Sequence, residues 1–276
     1  MYFAAYTGHG SSFADLRSAN ENLLVNAIGA IEICCPALQF VTLQTGGKAY
    51  GVEFRDSVPY NPPLKESSPR IPDPYAQNVF YYSQYDILTR ASEGKSWTFC
   101  EIRPDAIVGF VPQNNAMNIA QALALFLSLW KEVELQGGDN VTGDKATGTA
   151  KEVPFPGGRE AFTALHTDTS QDILAKFHVY ASLSPEKVER RAFNVADGPA
   201  TTWEAEWPRI CEWFGLVGAG PAESTFSAQQ WMETHSNIWT EWVQRKGLKE
   251  GALEGTSFKF MQVSLASQCV GDTIVG

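Results

Sequence analysis

Short apolar runs and helical patterns alternate three times within the first 135 residues, and few folds accommodate that rhythm. MYFAAY at 1–6 reads as a buried strand. Residues 14–33 then carry Leu16, Leu23, Leu24, Ala27, Ile28 and Ile31 at helical spacing, with Ser12 and Asp15 as a start signal. QFVTLQ at 39–44 returns to strand chemistry and is stopped by TGG. A helical pattern resumes near Tyr81, SWTFCEIRP at 96–104 reads as a third buried strand, and a helix from about Asn115 to Leu135 follows. Strands alternating with helices predict an α/β fold, a parallel sheet joined by right-handed crossovers. Residues 1–135 are therefore read as one domain. After the polar run GGDNVTGDKATG the pattern changes, and 136–276 is read as a second, C-terminal region that contributes strand and helix back to the core: a helix from Asp168, as its cap, to about Ala181, a strand at AFNVAD (192–197), and Trp-rich helices near 203–214 and 228–245. The residues from Gly251 onward are weakly patterned. Val52 to Pro74, with PYNPPL and SSPRIPDP, is expected to be a long surface excursion of the kind that covers a site.

Composition narrows the function classes. A hydrophobic content of 44% and a charged content of 19% suit a chain with a sizeable core. The net charge of -10, with no Lys/Arg cluster, argues against a nucleic-acid partner, because phosphate backbones are held by clustered cations. AMNIAQALALFLSLW at 116–130 is the most apolar stretch, but it is shorter than the roughly 20 residues a membrane span needs and contains Asn118 and Gln121. The start lacks the pattern of a secretory signal. Five cysteines in apolar runs, without metal-ligand spacing, predict no metal site and a reduced, cytoplasmic setting. Cys34 and Cys35 are read as plain core at a helix end.

Three sites carry chemistry. GHGSSF at 8–13 lies between a strand and a helix, where a dinucleotide-binding turn would lie, but Phe13 stands in place of the third glycine and no acidic residue closes the next strand. It is better read as an ordinary strand-to-helix turn. Lys48, in LQTGGKAYGVEF, sits just past the end of a parallel strand, the edge where α/β sheets build their sites. A lone lysine there is more often merely solvated. Tyr81 and Tyr82 open a helix, where one ring commonly packs and the other is exposed. Together, a tyrosine and an ammonium make more sense: tyrosine can protonate a developing alkoxide or enolate, and a nearby cation favours its phenolate. Short-chain dehydrogenases use Tyr-x-x-x-Lys; the fourth residue after Tyr82 is Asp86, so Lys48 is the candidate to replace that lysine. The four histidines are scattered through different elements and are read as packed or surface residues.

LQTGGKAY, FYYSQYD, WTFCEIRPDAIVGFVP and AFNVADGPATTW occur in that order, and together they resemble the progesterone 5β-reductase and iridoid synthase-like branch of the extended short-chain dehydrogenases. The resemblance implies an incomplete Rossmann-like, doubly wound parallel sheet with a smaller, mostly helical C-terminal substrate domain. It implies Tyr82 as catalytic acid, Tyr81 as its packing neighbour, and Lys48 as the active-site lysine. Thr45, Pro104 and Ile107 are then expected at the nicotinamide of an NADP or NAD cofactor, and Phe54 and Phe110 at a small-molecule carbonyl or enone substrate of specialised metabolism. Tyr85 replaces the motif's Glu. Residues 1–6 resemble the fourth strand of the family's sheet, so the glycine-rich phosphate-binding part is expected to be missing. An exposed sheet edge would then favour association into a homodimer. Three readings stay open: a hydride-transferring reductase, a cofactor-independent isomerase or cyclase using the Tyr–Lys pair, and a non-catalytic homologue whose tryptophans form subunit contacts.

Overall fold

A computed structural model describes residues 1–8, 12–113, 115–137, 152–223 and 226–267. His9, most of the polar run after Leu135, and Cys269 lie outside these residues. The chain forms two compact units. Of the described residues, the first comprises Met1–Ala106 and Thr167–Gly198, and the second comprises Ile107–His166 and those from Pro199 to Ser267.

In the first unit, β1 (Tyr2–Phe3), β2 (Phe40–Gln44), β3 (Thr98–Pro104) and a fourth strand, Ala192–Val195, form a parallel sheet in that spatial order. The period of two in each strand sorts side chains onto opposite faces. Val41, Leu43 and Phe99 turn toward α1 (Phe13–Cys34) and α2 (Phe80–Ala91), packing with Leu24, Ile28 and Leu88. Phe40, Cys100 and Ile102 turn the other way, toward Leu174 and Ala181 of the helix Gln171–Leu183. Helices thus cover both faces, and each fully buried Leu or Phe contributes about 1.5–3 kcal/mol. The expected start of α1 is present: Ser12 Oγ accepts the Asp15 N–H at 3.2 Å. The helix Gln171–Leu183 is capped by Ser170, whose hydroxyl accepts the Ile173 N–H, and not by Asp168, which lies in the strand Asp168–Ser170. Asp168 is three residues before the first helical turn and therefore too early to cap it.

His178 is buried between this helix and the sheet, with Nδ1 2.7 Å from Thr42 Oγ1 and Nε2 3.1 Å from Gln44 Oε1. Burial lowers its pKa from the ordinary 6.5. A histidine held neutral in the native state stabilises fully above the unfolded pKa, and that contribution is lost as pH falls toward the native one. Urea titrations between pH 8 and 5 should therefore show stability declining below about pH 6.5, with a slope of at most about 1.4 kcal/mol per pH unit from this group. The His178→Gln variant should lack that component. Parallel curves for the two proteins would contradict the assignment.

In the second unit, the apolar helix Ile119–Leu135, capped by Asn118, packs against the helices Ala228–Thr234, Ser236–Lys246 and Phe258–Ser267. The helix thus belongs to the second unit, where its wide apolar face is filled by other helices. A two-stranded parallel ribbon pairs Glu152–Phe155 with Val217–Pro221 and is covered by the helix Trp203–Trp213. Neither ribbon strand nor the last helix is evident in the sequence, where Pro154, Gly218 and Gly220 obscure the strands. Of Trp203, Trp207, Trp213, Trp231, Trp239 and Trp242, the tryptophans read as a subunit-contact surface in the non-catalytic alternative, Trp203, Trp207, Trp231 and Trp239 are buried core, Trp242 is half-buried, and Trp213 stands largely in solvent at 88% exposure. Cys34 is exposed and Cys35 half-buried rather than core: the last turn of α1 turns Ile31 toward the core and leaves Cys34 on the outside. Cys100 and Cys211 are buried, and burial pushes both thiols up to about 12. Among the described residues, no helix is long and apolar enough to cross a membrane.

Candidate active site

The carboxyl end of the parallel sheet is where the first unit gathers its polar side chains. One residue past β2, Thr45 N–H still bonds to Ile102 O at 2.8 Å, which holds the turn Thr45-Gly46-Gly47 against the end of β3. Gly46 is required by close approach. A Cβ at that position would lie 3.3 Å from the Pro104 carbonyl oxygen and 4.0 Å from the Tyr81 hydroxyl. Gly46 thus forms a narrow wedge with the Pro104 carbonyl and the Tyr81 hydroxyl. The 3-10 turn Gly47–Tyr50 then carries Lys48.

The two adjacent tyrosines have opposite fates. Tyr82 is buried, and its hydroxyl donates to the Ala49 carbonyl at 2.6 Å while accepting the Ile71 N–H at 3.1 Å. Arg70 lies over the same ring, 4.8 Å from its centre, and forms a bidentate pair with Asp86 at 2.9 and 2.7 Å. Tyr82 and Asp86 thereby fasten the Pro-rich excursion onto α2. The hydroxyl of Tyr81, by contrast, makes no hydrogen bond among the described residues and faces Gly46. The ring keeps a partly exposed flank and packs edge-on against Phe80, centroids 4.6 Å apart. Its pKa stands well above the ordinary value, first because burial disfavours the phenolate and then because Tyr6, Glu53 and Glu101 repel it. For Tyr82 the pKa is raised too, again by burial, with Arg103 and Arg70 opposing. The arginines do lower the Tyr82 pKa, as a nearby cation should, but desolvation outweighs them.

The remaining expected residues fall in different places. Lys48 Nζ pairs with Glu53 Oε1 at 3.0 Å and reaches neither tyrosine by hydrogen bond. Thr45 is buried and donates its hydroxyl to Glu101 Oε1 at 2.7 Å. Pro104 is buried at the end of β3 with its carbonyl toward Gly46. Phe54 sits between Phe13 and Tyr75, with centroids 5.4 and 5.3 Å away. Ile107 and Phe110 belong to the second unit, and both are exposed, Phe110 at 76%. Among the described histidines, His166 stacks on Trp203, His235 stacks on Trp231, and His178 lies between the sheet and the helix Gln171–Leu183.

Sequence reasoning missed the polar residues behind the wedge. Glu101 Oε2 accepts from Arg103 Nη2 at 2.7 Å, Arg103 lies over the Tyr50 ring, and the Tyr50 hydroxyl donates to Asn194 Oδ1 at 2.5 Å. Asn194 in turn gives its N–H to Glu66 Oε1 and its Nδ2 to the Leu64 carbonyl, both in the Pro-rich excursion. The available signal was the pair of charges inside the otherwise apolar SWTFCEIRP, since a central strand rarely buries charge without a partner.

Comparisons with known proteins identify the family. The family model described as a PRISE-like Rossmann-fold domain matches residues 1–262. The short chain dehydrogenase sirQ of Leptosphaeria maculans is 30% identical over 270 residues, covering 96% of this chain and 65% of that protein. An (S)-8-oxocitronellyl enol synthase of Nepeta cataria is 28% identical over 281 residues, covering 99% of this chain and 66% of that one. The chain thus spans about two thirds of the length of these relatives. Among solved structures, a GDP-mannoheptose C4 reductase of Campylobacter jejuni with NADP bound superposes with a TM-score of 0.58 at 14% identity, over 80% of this chain and 68% of that one. A GDP-D-glycero-L-gluco-heptose synthase from the same organism, in the presence of NADPH, gives 0.56 at 13% identity, over 82% and 72%. At such identities the likeness is one of fold. With the family match spanning residues 1–262, nearly the whole chain, the chain belongs to the PRISE-like Rossmann-fold family.

Proposed function

We propose that this chain carries the catalytic wall of a nicotinamide-dependent reductase that acts on the carbonyl or enone of a small molecule, in the reduced setting of the cytoplasm and in specialised metabolism. The observation that carries the reading is the uncommitted Tyr81 hydroxyl facing Gly46 at the carboxyl end of the sheet, the edge where open α/β sheets bind ligands. Tyr81, rather than Tyr82, is then the proton or hydrogen-bond donor to the substrate oxygen. A phenol kept protonated by burial suits that role, because it has a proton to give wherever negative charge develops on oxygen. Lys48 acts through Glu53: by pairing with that carboxylate it tempers one of the charges that raise the Tyr81 pKa.

Thr45 and Pro104, on either side of the close approach at Gly46, are assigned to the nicotinamide end of NADP or NAD by family resemblance and by their place at the carboxyl end of the sheet. When bound, that group supplies a hydride. Phe54, within its aromatic cluster with Phe13 and Tyr75, would present an apolar surface to the substrate, and Ile107 and Phe110 are assigned to the cofactor and substrate sides by family resemblance.

The test is a titration of the chain with NADPH and NADH, followed by tryptophan fluorescence, and then an enone and aldehyde panel read by loss of nicotinamide absorbance. Saturable binding near micromolar and turnover of at least one substrate are expected. A folded chain that neither binds up to millimolar nor turns over would remove this reading and favour the isomerase alternative, which needs no hydride.

A further inference from the structure

A buried carboxylate in the middle of a central strand is costly, and the first unit places one directly behind the wedge. Glu101 is 2% exposed, with apolar Cys100 and Ile102 on either side in β3. Its two oxygens point in different directions along the sheet edge. Oε1 accepts from Thr45 Oγ1 and Oε2 from Arg103 Nη2, both at 2.7 Å. Thr45 opens the turn whose next residue, Gly46, lies against the Pro104 carbonyl and the Tyr81 hydroxyl. Arg103 continues the network through Tyr50 to Asn194.

We propose that Glu101 is a positioning residue, a buried carboxylate that fixes the Thr45–Gly46 turn with one oxygen and Arg103 with the other, so that the floor of the wedge keeps its distance from the Tyr81 hydroxyl. The inference rests on the reductase reading above for its catalytic consequence, though not for its structural one. Two physical considerations support it. Buried ion pairs add little net stability, because desolvation of both charges offsets their attraction; an apolar pair of the same volume commonly folds as well or better. Retaining one here is thus poorly explained by stability. Hydrogen bonds to a charged acceptor are also shorter and more directional than neutral ones, which is what holding a turn to a fraction of an ångström requires.

The experiment replaces the pair together, Glu101→Met with Arg103→Met, and separately makes Thr45→Val, which deletes only the hydroxyl that Glu101 accepts. Hydrogen exchange of the peptide covering residues 44–50, global denaturation, and steady-state kinetics are measured on each. The double variant should keep or raise the midpoint of denaturation while amide exchange across 44–50 accelerates about 10-fold or more, the signature of a local opening. kcat should fall about 10- to 100-fold with KM changed less than about 3-fold, because a misplaced wall costs the transition state rather than binding. Thr45→Val should reproduce both effects more weakly, and it serves as the deciding variant should the double one not fold. Unchanged exchange across 44–50 at unchanged global stability overturns the proposal, whatever the kinetics. Faster exchange with unchanged kcat also overturns it as a catalytic device. Absence of turnover in the unmodified chain would remove the reductase reading alone, leaving the exchange measurement to decide whether Glu101 holds the turn.

Discussion

Tyr81→Phe is expected to abolish turnover while leaving the fold intact, whereas Tyr82→Phe should leave kcat within a few-fold and destabilise the protein. The two residues are neighbours in sequence and differ by what surrounds one oxygen atom. In Tyr81 the hydroxyl has no partner among the described residues, so removing it breaks no internal bond and withdraws only a donor to the substrate. Loss of a proton donor at the reacting oxygen typically costs 10²- to 10⁴-fold. In Tyr82 the hydroxyl bridges the Ala49 carbonyl and the Ile71 N–H, and its removal strands both backbone groups in a buried place, at about 1–3 kcal/mol. The check is a kcat measurement and a urea titration on each variant. Full activity in Tyr81→Phe together with none in a folded Tyr82→Phe would return the catalytic role to the second tyrosine.

The largest stability effect is expected in the second unit. Trp207 is 0% exposed, packs edge-on against Phe155 with centroids 5.6 Å apart, and donates its indole N–H to the Val153 carbonyl at 3.0 Å. It therefore joins the helix Trp203–Trp213 to the ribbon beneath it by packing and by hydrogen bond at once. Trp207→Ala should cost about 3–5 kcal/mol, the sum of lost transfer energy and a cavity that tight surroundings cannot fill. Nearby, a Cβ on Gly218 would lie 2.9 Å from the Trp207 carbonyl oxygen, so helix and ribbon already touch and have little room to collapse inward. Trp207→Phe keeps most of the apolar volume and loses the N–H, and should cost about 1–2 kcal/mol, mainly for the unpaired carbonyl. Chemical denaturation followed by circular dichroism separates the two. Equal losses would mean that the hydrogen bond, rather than the packing, holds this face.

Much of the first unit can be read from local chemistry. The apolar runs at Phe40–Gln44 and Thr98–Pro104 occur as strands, and the periodic leucines and isoleucines of α1 form its buried face, because burial of continuous apolar segments is dictated by which atoms avoid water. The second unit was harder. Glu152–Phe155 and Val217–Pro221 are stabilised by each other across more than sixty residues, and glycine and proline hide their pattern. The helix Ile119–Leu135 is legible as a helix but its packing partners are not, since amphipathicity tells how wide a face must be covered and not by what. The same limit applies to the candidate site. LQTGGKAY and FYYSQYD identify the turn and the helix that meet there, yet the two tyrosines of the second motif are chemically identical along the chain.

Residue order alone thus establishes an α/β chain with parallel strands, its main helices, its family resemblance and the two segments that bear the candidate chemistry, because these depend on short-range patterns of polarity and on motif spacing. Folding in three dimensions decides which hydroxyl is free and which is spent on the backbone, that Lys48 pairs with Glu53, that Glu101 and Arg103 lie buried behind Gly46, and that most of the tryptophans are core. Those outcomes depend on atoms far apart in sequence coming within hydrogen-bonding reach, and on the loss of water around them. Neither is encoded in any short stretch of the chain.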